Sequence, residues 1–302
     1  MKRKKEVVIK ENPMRFYTLA DKVVLGLTTF VLLLFFVVLL YPLLYAVISS
    51  FAKGVLPLNL IPTRITLEGY IACIEYRYIW TGFRNSVIYT LLGTGIALLV
   101  TICCAYALSV KHRLRGLMLA ICMFTMYFDG GLIPNFLWIN KLGLYNTVWA
   151  LVLPGALSVY NMLVMRTYFE NSIPAELHEA AQLDGASEIG YLIRVVVPLS
   201  GAVIAVIALY YISSLWNSYF QAMLYIQDLE KLPLSNILRS LLLTAQNAGL
   251  TTMDSSTAQK IEERQEVMKY CVIVVSSVPM LVLYPFIQKY FVKGVMIGAV
   301  KG

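Results

Sequence analysis

The sequence has little charge, and five long stretches have none at all. Asp, Glu, Lys and Arg make up 14% of the 302 residues, against about 25% in soluble globular domains. None of the four residue types occurs in residues 23–50, 85–110, 117–128, 199–227 and 271–288. Apolar stretches near 20 residues cross a bilayer core of about 30 Å. This composition excludes an ordinary soluble domain and predicts an all-α integral membrane protein.

The predicted spans also lack the groups that carry out chemistry inside a membrane. No ionisable side chain falls near the centre of a predicted span, whereas proton-coupled carriers and intramembrane proteases keep such groups for function despite their cost in lipid. The sequence has no G-x-x-x-x-G-K-[ST] phosphate loop. We therefore predict no catalytic residue and no enzymatic activity, so uphill transport would need a nucleotide hydrolysed by another chain.

Metal ligands are also scarce. The two histidines, His112 and His178, are far apart in the sequence. Four of the five cysteines lie in or beside apolar spans, and the set shows no metal-ligand spacing: Cys73, Cys103, Cys104, Cys122 and Cys271. We predict no metal site.

The apolar stretches and their breaks predict six spans. Five of them cover residues 23–48, 85–110, 147–165, 199–225 and 270–287. The third span along the chain begins at residue 117 and is interrupted at 129–131. Seven Lys or Arg residues in 1–22 and a short basic loop, 111–115, place both termini in the cytoplasm. The predicted organisation is a basic N-terminus (1–22), a six-helix transmembrane domain (23–290) with an extracytoplasmic loop (227–269), and a cytoplasmic tail (291–302).

Two local features lie on the predicted extracytoplasmic side of the protein. Asp129 precedes Gly130 and Gly131 in the interrupted third span, where a helix cap and a proton relay are both open, and the cap is favoured. In the extracytoplasmic loop, apolar residues at helical spacing predict an amphipathic helix: Ile237, Leu238, Leu241 and Leu242.

The segment 172–200, here called the elbow loop, reads SIPAELHEAAQLDGASEIGYLIRVVVPLS. Pro174 suits a first helical turn, and Gly185 permits the left-handed backbone that ends a helix. Ser187 can cap a second helix. Two apolar stripes follow from the spacing: Leu177, Ala180 and Ala181 in the first helix, and Ile189, Leu192, Ile193 and Val196 in the second. The pattern fits either a loop lying on lipid headgroups or a knob presented to a partner.

Aromatic and amide residues cluster in the outer halves of the third and fifth spans. Sugars bind aromatic faces and amide or hydroxyl groups, which this mixture supplies. Such residues are also typical of the interfacial aromatic belt. The candidate substrate-path residues are Tyr127, Asn135, Trp138, Tyr211, Trp216, Asn217 and Tyr219.

The elbow loop also resembles a known signature. Glu179-Ala180-Ala181, Gly185 after three further residues and Pro198 at the end match the EAA loop of binding-protein-dependent ABC importer permeases. Val195 and Val197 stand where that pattern has Ile and Leu. Tyr127 to Ala156 and the ending Phe291 to Gly302 resemble the carbohydrate-uptake permeases of the maltose-transporter type, especially the LplC-like branch. At Trp216-Asn217, Ser218 replaces the acidic residue usual in that family.

The resemblance implies a role for the chain and its partners. It implies the transmembrane subunit of a bacterial ATP-driven importer for carbohydrate, in the plasma membrane. The partners would be a second homologous permease, a cytoplasmic ATPase dimer carrying ATP and Mg, and an extracytoplasmic solute-binding protein, with membrane lipid around it and no nucleic acid. No cofactor is expected in this chain. A stand-alone secondary carrier or membrane enzyme is the alternative.

The resemblance also assigns residues to the ATPase contact. The coupling residues carried over are Glu179, Ala180, Ala181, Asp184, Gly185, Ala186 and Pro198. Lys293, Gly294 and residues 298–302 match a tail that reaches the ATPase dimer interface in this family, and a solvated basic tail is the other interpretation.

Overall fold

The computed structural model describes residues 18–52, 62, 64–248, 267–282 and 284–285. Most of the basic N-terminus and the whole C-terminal tail with its predicted ATPase contact lie outside these residues. The described chain is built of helices: α1 Leu19–Ser50, α2 Glu68–Glu75, α3 Arg77–Ser109, α4 Arg115–Tyr127, α5 Leu132–Lys141, α6 Trp149–Val152, α7 Val159–Ser172, α8 Ala175–Leu183, α9 Glu188–Tyr191, α10 Val197–Leu199, α11 Gly201–Trp216, α12 Tyr219–Tyr225, α13 Leu234–Ala248 and α14 Val267–Val282.

Helix α1 begins earlier than the predicted span, because Thr18 caps it. The Thr18 hydroxyl accepts from the Asp21 N–H at 3.3 Å, and the Asp21 carboxylate accepts from the Thr18 N–H at 2.9 Å. This capping box satisfies two backbone donors of the first turn. Only Ser49 and Ser50 of α1 are buried, so the helix contacts the rest of the described chain through its C-terminal end.

Helix α3 is the centre of the fold. Its buried residues are mostly small or hydroxyl-bearing, with Gly82, Gly93, Ala97 and Ala105 among them, and small residues let helix backbones approach closely in membranes. The first hydrophobic cluster joins α3 to α7 and α11 around Met162, Met165 and Ile207. Two further clusters contain α3 side chains, one with α2, α13 and α14 and one with α5, α6 and α12.

The third predicted span is broken where the sequence indicated. Helices α4 and α5 meet at 112°, and Gly131 between them has φ +93°. The Asp129 carboxylate accepts from the Gly131 N–H at 3.1 Å and from the Asn135 amide at 3.2 Å. The Asp129 carboxylate therefore closes the turn before α5. It bonds no backbone N–H of α5, whose N-cap residue is Gly131, so the helix-cap role stays a prediction.

The fourth and fifth predicted spans are not single helices. Pro154 and Gly155 separate α6 from α7, because proline removes a ladder donor. Between α11 and α12, the Asn217 amide donates to the Ser213 carbonyl at 2.8 Å and the Ser218 hydroxyl to the Leu215 carbonyl at 2.6 Å. Such local side-chain bonds compete with the helical ladder.

The number of spans in the described residues depends on how bent pairs are counted. Helices α1 and α3 are each long and apolar enough to cross a membrane. The number is four if each bent helix pair is counted as one span. One pair is α4 with α5, and the other is residues 188–199 with α11, which meet at 84°. Helix α14 is apolar but shorter. Six spans remain a prediction.

Residues 230–234 and helix α13 lie against the N-terminal half of α3. The Asn85 amide donates to the carbonyls of Glu230 and Leu232 at 2.7 and 3.2 Å. The Tyr89 hydroxyl donates to the Lys231 carbonyl at 2.8 Å, and the Ser86 hydroxyl accepts from the Leu234 N–H at 2.9 Å. Ile237 is buried, and Leu238 and Leu241 pack beside it. The predicted amphipathic helix therefore exists and is docked on α3.

Candidate functional site

The elbow loop has the backbone that its sequence predicts. Gly185 follows α8 with φ +74°. Its N–H donates to the Gln182 carbonyl at 3.0 Å, and the Ala186 N–H donates to the Ala181 carbonyl at 2.9 Å, which is the Schellman ending of a helix. Ser187 caps α9 by accepting from the Gly190 N–H at 3.2 Å. The predicted cap and elbow are confirmed.

The prediction that four residues of the second helix form one apolar stripe is wrong for two of them. Leu192 is half-buried and Val196 is buried, but Ile189 and Ile193 are exposed by 70% and 61%. Helix α9 lasts one turn and passes into a π-helix over Leu192–Val196. Because a π-turn holds an extra residue, the 3.6-residue spacing does not carry through it.

The loop presents apolar side chains outward. Helix α8 has no buried residue, and Leu183 is 90% exposed. Glu179, Ala180, Asp184, Gly185 and Ala186 are also exposed, Ala181 is half-buried, and Pro198 is exposed on α10. An exposed apolar group of this kind, rimmed by polar residues, is typical of a protein or membrane contact.

Two polar clusters fix the loop and its neighbours beneath this surface. The Tyr106 hydroxyl of α3 donates to the Glu188 carboxylate, and His178 Nε2 lies 3.1 Å from the same carboxylate. The Tyr106 hydrogen bond, and then His178, hold the pKa of the Glu188 carboxyl below its usual value. In the second cluster, Glu170 of α7 pairs with Arg115 and Arg166. An open cleft of ≈ 680 Å³ lies between the two clusters, and Tyr106, Arg115, Glu170 and His178 are among its lining residues.

The seven candidate substrate-path residues are not brought together. Tyr127, Asn135 and Trp138 are exposed on α4 and α5. Tyr211 is buried, its hydroxyl 2.7 Å from the Thr101 hydroxyl and accepting from the Ser158 N–H at 3.0 Å.

The remaining three candidates lie near the end of α11. The Trp216 indole donates to the Ser276 carbonyl at 3.2 Å. Asn217 is exposed and bonds within its own helix, and the Tyr219 ring lies 4.7 Å from the Arg239 guanidinium carbon. Tyr211, Trp216 and Tyr219 thus make interhelical or ring contacts within the chain.

A polar cavity that the sequence did not indicate lies beside Tyr211. It holds ≈ 360 Å³ between α6, α7, α11 and α12, within the range of about 300–1,000 Å³ for ligand pockets. Its polar lining is Ser158, Asn161, Tyr210, Tyr211, Ser214, Ser218 and Gln221. Tyr210, Tyr211 and Ser214 share one face of α11, and that spacing is the signal that could have marked the cavity.

Comparisons with known proteins identify relatives of the chain. No family model matches the chain. Protein LplC of Bacillus subtilis is 38% identical over 266 residues, covering 86% of this chain and 89% of LplC. The polygalacturonan/rhamnogalacturonan transport permease YtcP of the same species is 35% identical over 276 residues, covering 90% and 96%.

A solved structure gives the same relationship in three dimensions. It is a chain of a bacterial ABC transporter involved in import of the acidic polysaccharide alginate, with a TM-score of 0.81 and 31% identity, covering 91% of this chain and 99% of that chain. The chain therefore belongs to the permease family of carbohydrate ABC transporters.

Proposed function

We propose that the elbow loop is the contact through which a cytoplasmic ATPase drives this permease. The observation that carries the proposal is the exposed apolar surface around Leu183 and Ile189, next to the exposed Glu179. An ATPase cleft would cover these side chains and remove them from water. The coupling residues are Glu179, Ala180, Ala181, Asp184, Gly185, Ala186 and Pro198.

The remaining subunits follow from the same proposal. A second homologous permease completes the translocation path, and an extracytoplasmic binding protein delivers the sugar. ATP and Mg bind the ATPase dimer, since this sequence has no phosphate loop. Closure of the ATPase dimer tilts the helices of both permeases, a rigid-body change between inward-facing and outward-facing states.

The cavity beside Tyr211 is the proposed substrate path in this subunit. Its lining offers hydroxyl and amide groups and no residue that is charged at neutral pH, which suits the hydroxyl groups of a sugar chain. The relatives include a polygalacturonan/rhamnogalacturonan transport permease and a chain of a transporter involved in the import of the acidic polysaccharide alginate. This supports an oligosaccharide substrate. The exposed Tyr127, Asn135 and Trp138 define the competing path along α4 and α5.

Uptake into reconstituted vesicles tests the proposal. The chain, co-expressed with an ATPase and a second permease, should retain the ATPase on purification and take up oligosaccharide only with ATP. Asn161→Leu should slow uptake about tenfold, because it replaces a buried amide by an apolar group that cannot pair with a sugar hydroxyl, and ATPase retention should not change. Slow uptake in Asn135→Leu with normal uptake in Asn161→Leu would place the path along α5 instead.

The proposed topology has six spans with both termini in the cytoplasm. It rests on the basic residues of 1–22 and of the loop 111–115. In a cysteine-free background, a cysteine at Ser255 should react with a membrane-impermeant thiol reagent on whole cells, and one at Ser187 should react only after permeabilisation. Reaction at Ser187 on intact cells would contradict the topology.

A further inference from the structure

One carboxylate joins three helices beneath the elbow loop. Glu188 is the first residue of α9. One of its oxygens accepts from the Tyr106 hydroxyl in the last turn of α3, and His178 Nε2 of α8 lies 3.1 and 3.3 Å from the two oxygens. The ring of Tyr191 packs on both partners, with centroids 4.9 Å from His178 and 6.4 Å from Tyr106.

Helix α8 has few other attachments to the body of the protein. None of its residues is buried, and its half-buried side chains are His178 and Ala181. By contrast, α9 is anchored by Tyr191, which is 5% exposed within the first hydrophobic cluster. The polar link from α8 to α3 therefore passes through Glu188, which the side chains of His178 and Gln182 contact from α8.

We propose that Glu188 is a positioning residue that makes α8 move together with α3 during transport. The proposal rests on the proposed function, in which the ATPase holds the loop. Because α3 contributes to all three hydrophobic clusters, a displacement that reaches α3 reaches the whole helical body. Without the link, α8 follows the ATPase while α3 does not, so ATP is hydrolysed without sugar movement.

The first measurement, hydrogen exchange of the α8 amides, tests whether Glu188 holds α8 to α3. In the purified complex, Tyr106→Phe and Glu188→Ala should each speed hydrogen exchange of α8 amides about tenfold. This is the low end of the effect expected from losing a hydrogen bond to a charged group, because solvent screens the half-exposed Glu188 side chain. The double variant should exchange no faster than Glu188→Ala, since both changes break one link. Glu176→Ala, which removes a charge from the exposed first turn of α8 but leaves the link intact, is the matched control. It should speed exchange much less, because a charge at a helix N-terminus contributes only about 0.3–1 kcal/mol.

The second measurement reads transport. Sugar moved per ATP should fall about fivefold in Tyr106→Phe and Glu188→Ala, since the exposed side of α8 is intact and the ATPase stays bound, while the link to α3 is weakened. Glu176→Ala should keep the wild-type ratio. Unchanged α8 exchange, or faster exchange with a wild-type sugar-to-ATP ratio, would overturn the proposal. If the wild-type complex itself shows no ATP-driven uptake, the proposed function fails, and the exchange measurement still decides whether the link exists.

Discussion

Replacing Gly185 with valine should abolish substrate-stimulated ATP hydrolysis while the protein remains in the membrane. Gly185 has φ +74°, and a side chain in the left-handed region costs about 1–2 kcal/mol. A Cβ at Gly185 would meet no atom of the described chain within 4 Å. The damage should therefore come from a changed elbow and from a clash with the receiving cleft, and not from lost packing within this subunit.

Asparagine at Gly185 is the matched control, because it tolerates the left-handed region better than valine. ATPase recovery after pull-down and hydrolysis in reconstituted vesicles should be near zero for Gly185→Val and partly retained for Gly185→Asn. Equal loss in both variants would show that bulk in the cleft, and not backbone conformation, is decisive. Wild-type coupling in Gly185→Val would show that the elbow is not part of the ATPase contact.

Glu179→Lys tests the charge on the same surface. Glu179 is exposed, and we expect it to pair with a basic residue of the ATPase. Loss of one partner from a desolvated ion pair costs roughly 2–5 kcal/mol, so ATPase retention should fall by at least tenfold. Glu176→Lys makes the same charge change one turn earlier and should have a much smaller effect. Equal retention in the two variants would contradict a specific role for Glu179.

Local signals in the sequence were enough to predict the elbow loop. The Gly185 turn and the Ser187 cap depend on residues within one or two turns, so their residue types determine them. The outward position of Ile189 and Ile193 could not be predicted, because α9 lasts one turn and the π-helix that follows it, which contains Ile193, changes the register. Apolar spacing alone carries no information on such a turn.

The candidate substrate path stays a prediction, and the sequence could not show how its residues are arranged. Tyr211 is aromatic and amphipathic in the sequence, which is typical both of a sugar contact and of a buried hydrogen-bonded residue. Its partners, Thr101 on α3 and Ser158 before α7, are distant in the chain. Their arrangement depends on how α3, α7 and α11 pack, and a single sequence does not specify that packing.

Gly82→Leu should destabilise the protein by forcing α13 away from α3. A Cβ at Gly82 would lie 3.2 Å from the Leu234 Cα and 3.3 Å from the Leu234 nitrogen. This backbone cannot retreat freely, since the Leu234 N–H is bonded to the Ser86 hydroxyl and the preceding carbonyls are bonded to Asn85. Overpacking at such a contact costs about 1–3 kcal/mol, and the buried polar groups that separate add to that cost.

Gly95 provides a control on the same helix. A Cβ there would meet nothing within 4 Å, and leucine is a better helix former than glycine by roughly 1 kcal/mol. Gly95→Leu should therefore leave the thermal midpoint of the detergent-purified protein unchanged or raise it, whereas Gly82→Leu should lower the midpoint by about 5 °C or more. Hydrogen exchange of α13 should rise in Gly82→Leu alone, because the side chain separates α13 from α3. Equal midpoints for the two variants would mean that the close contact between α3 and residue 234 is not needed for stability.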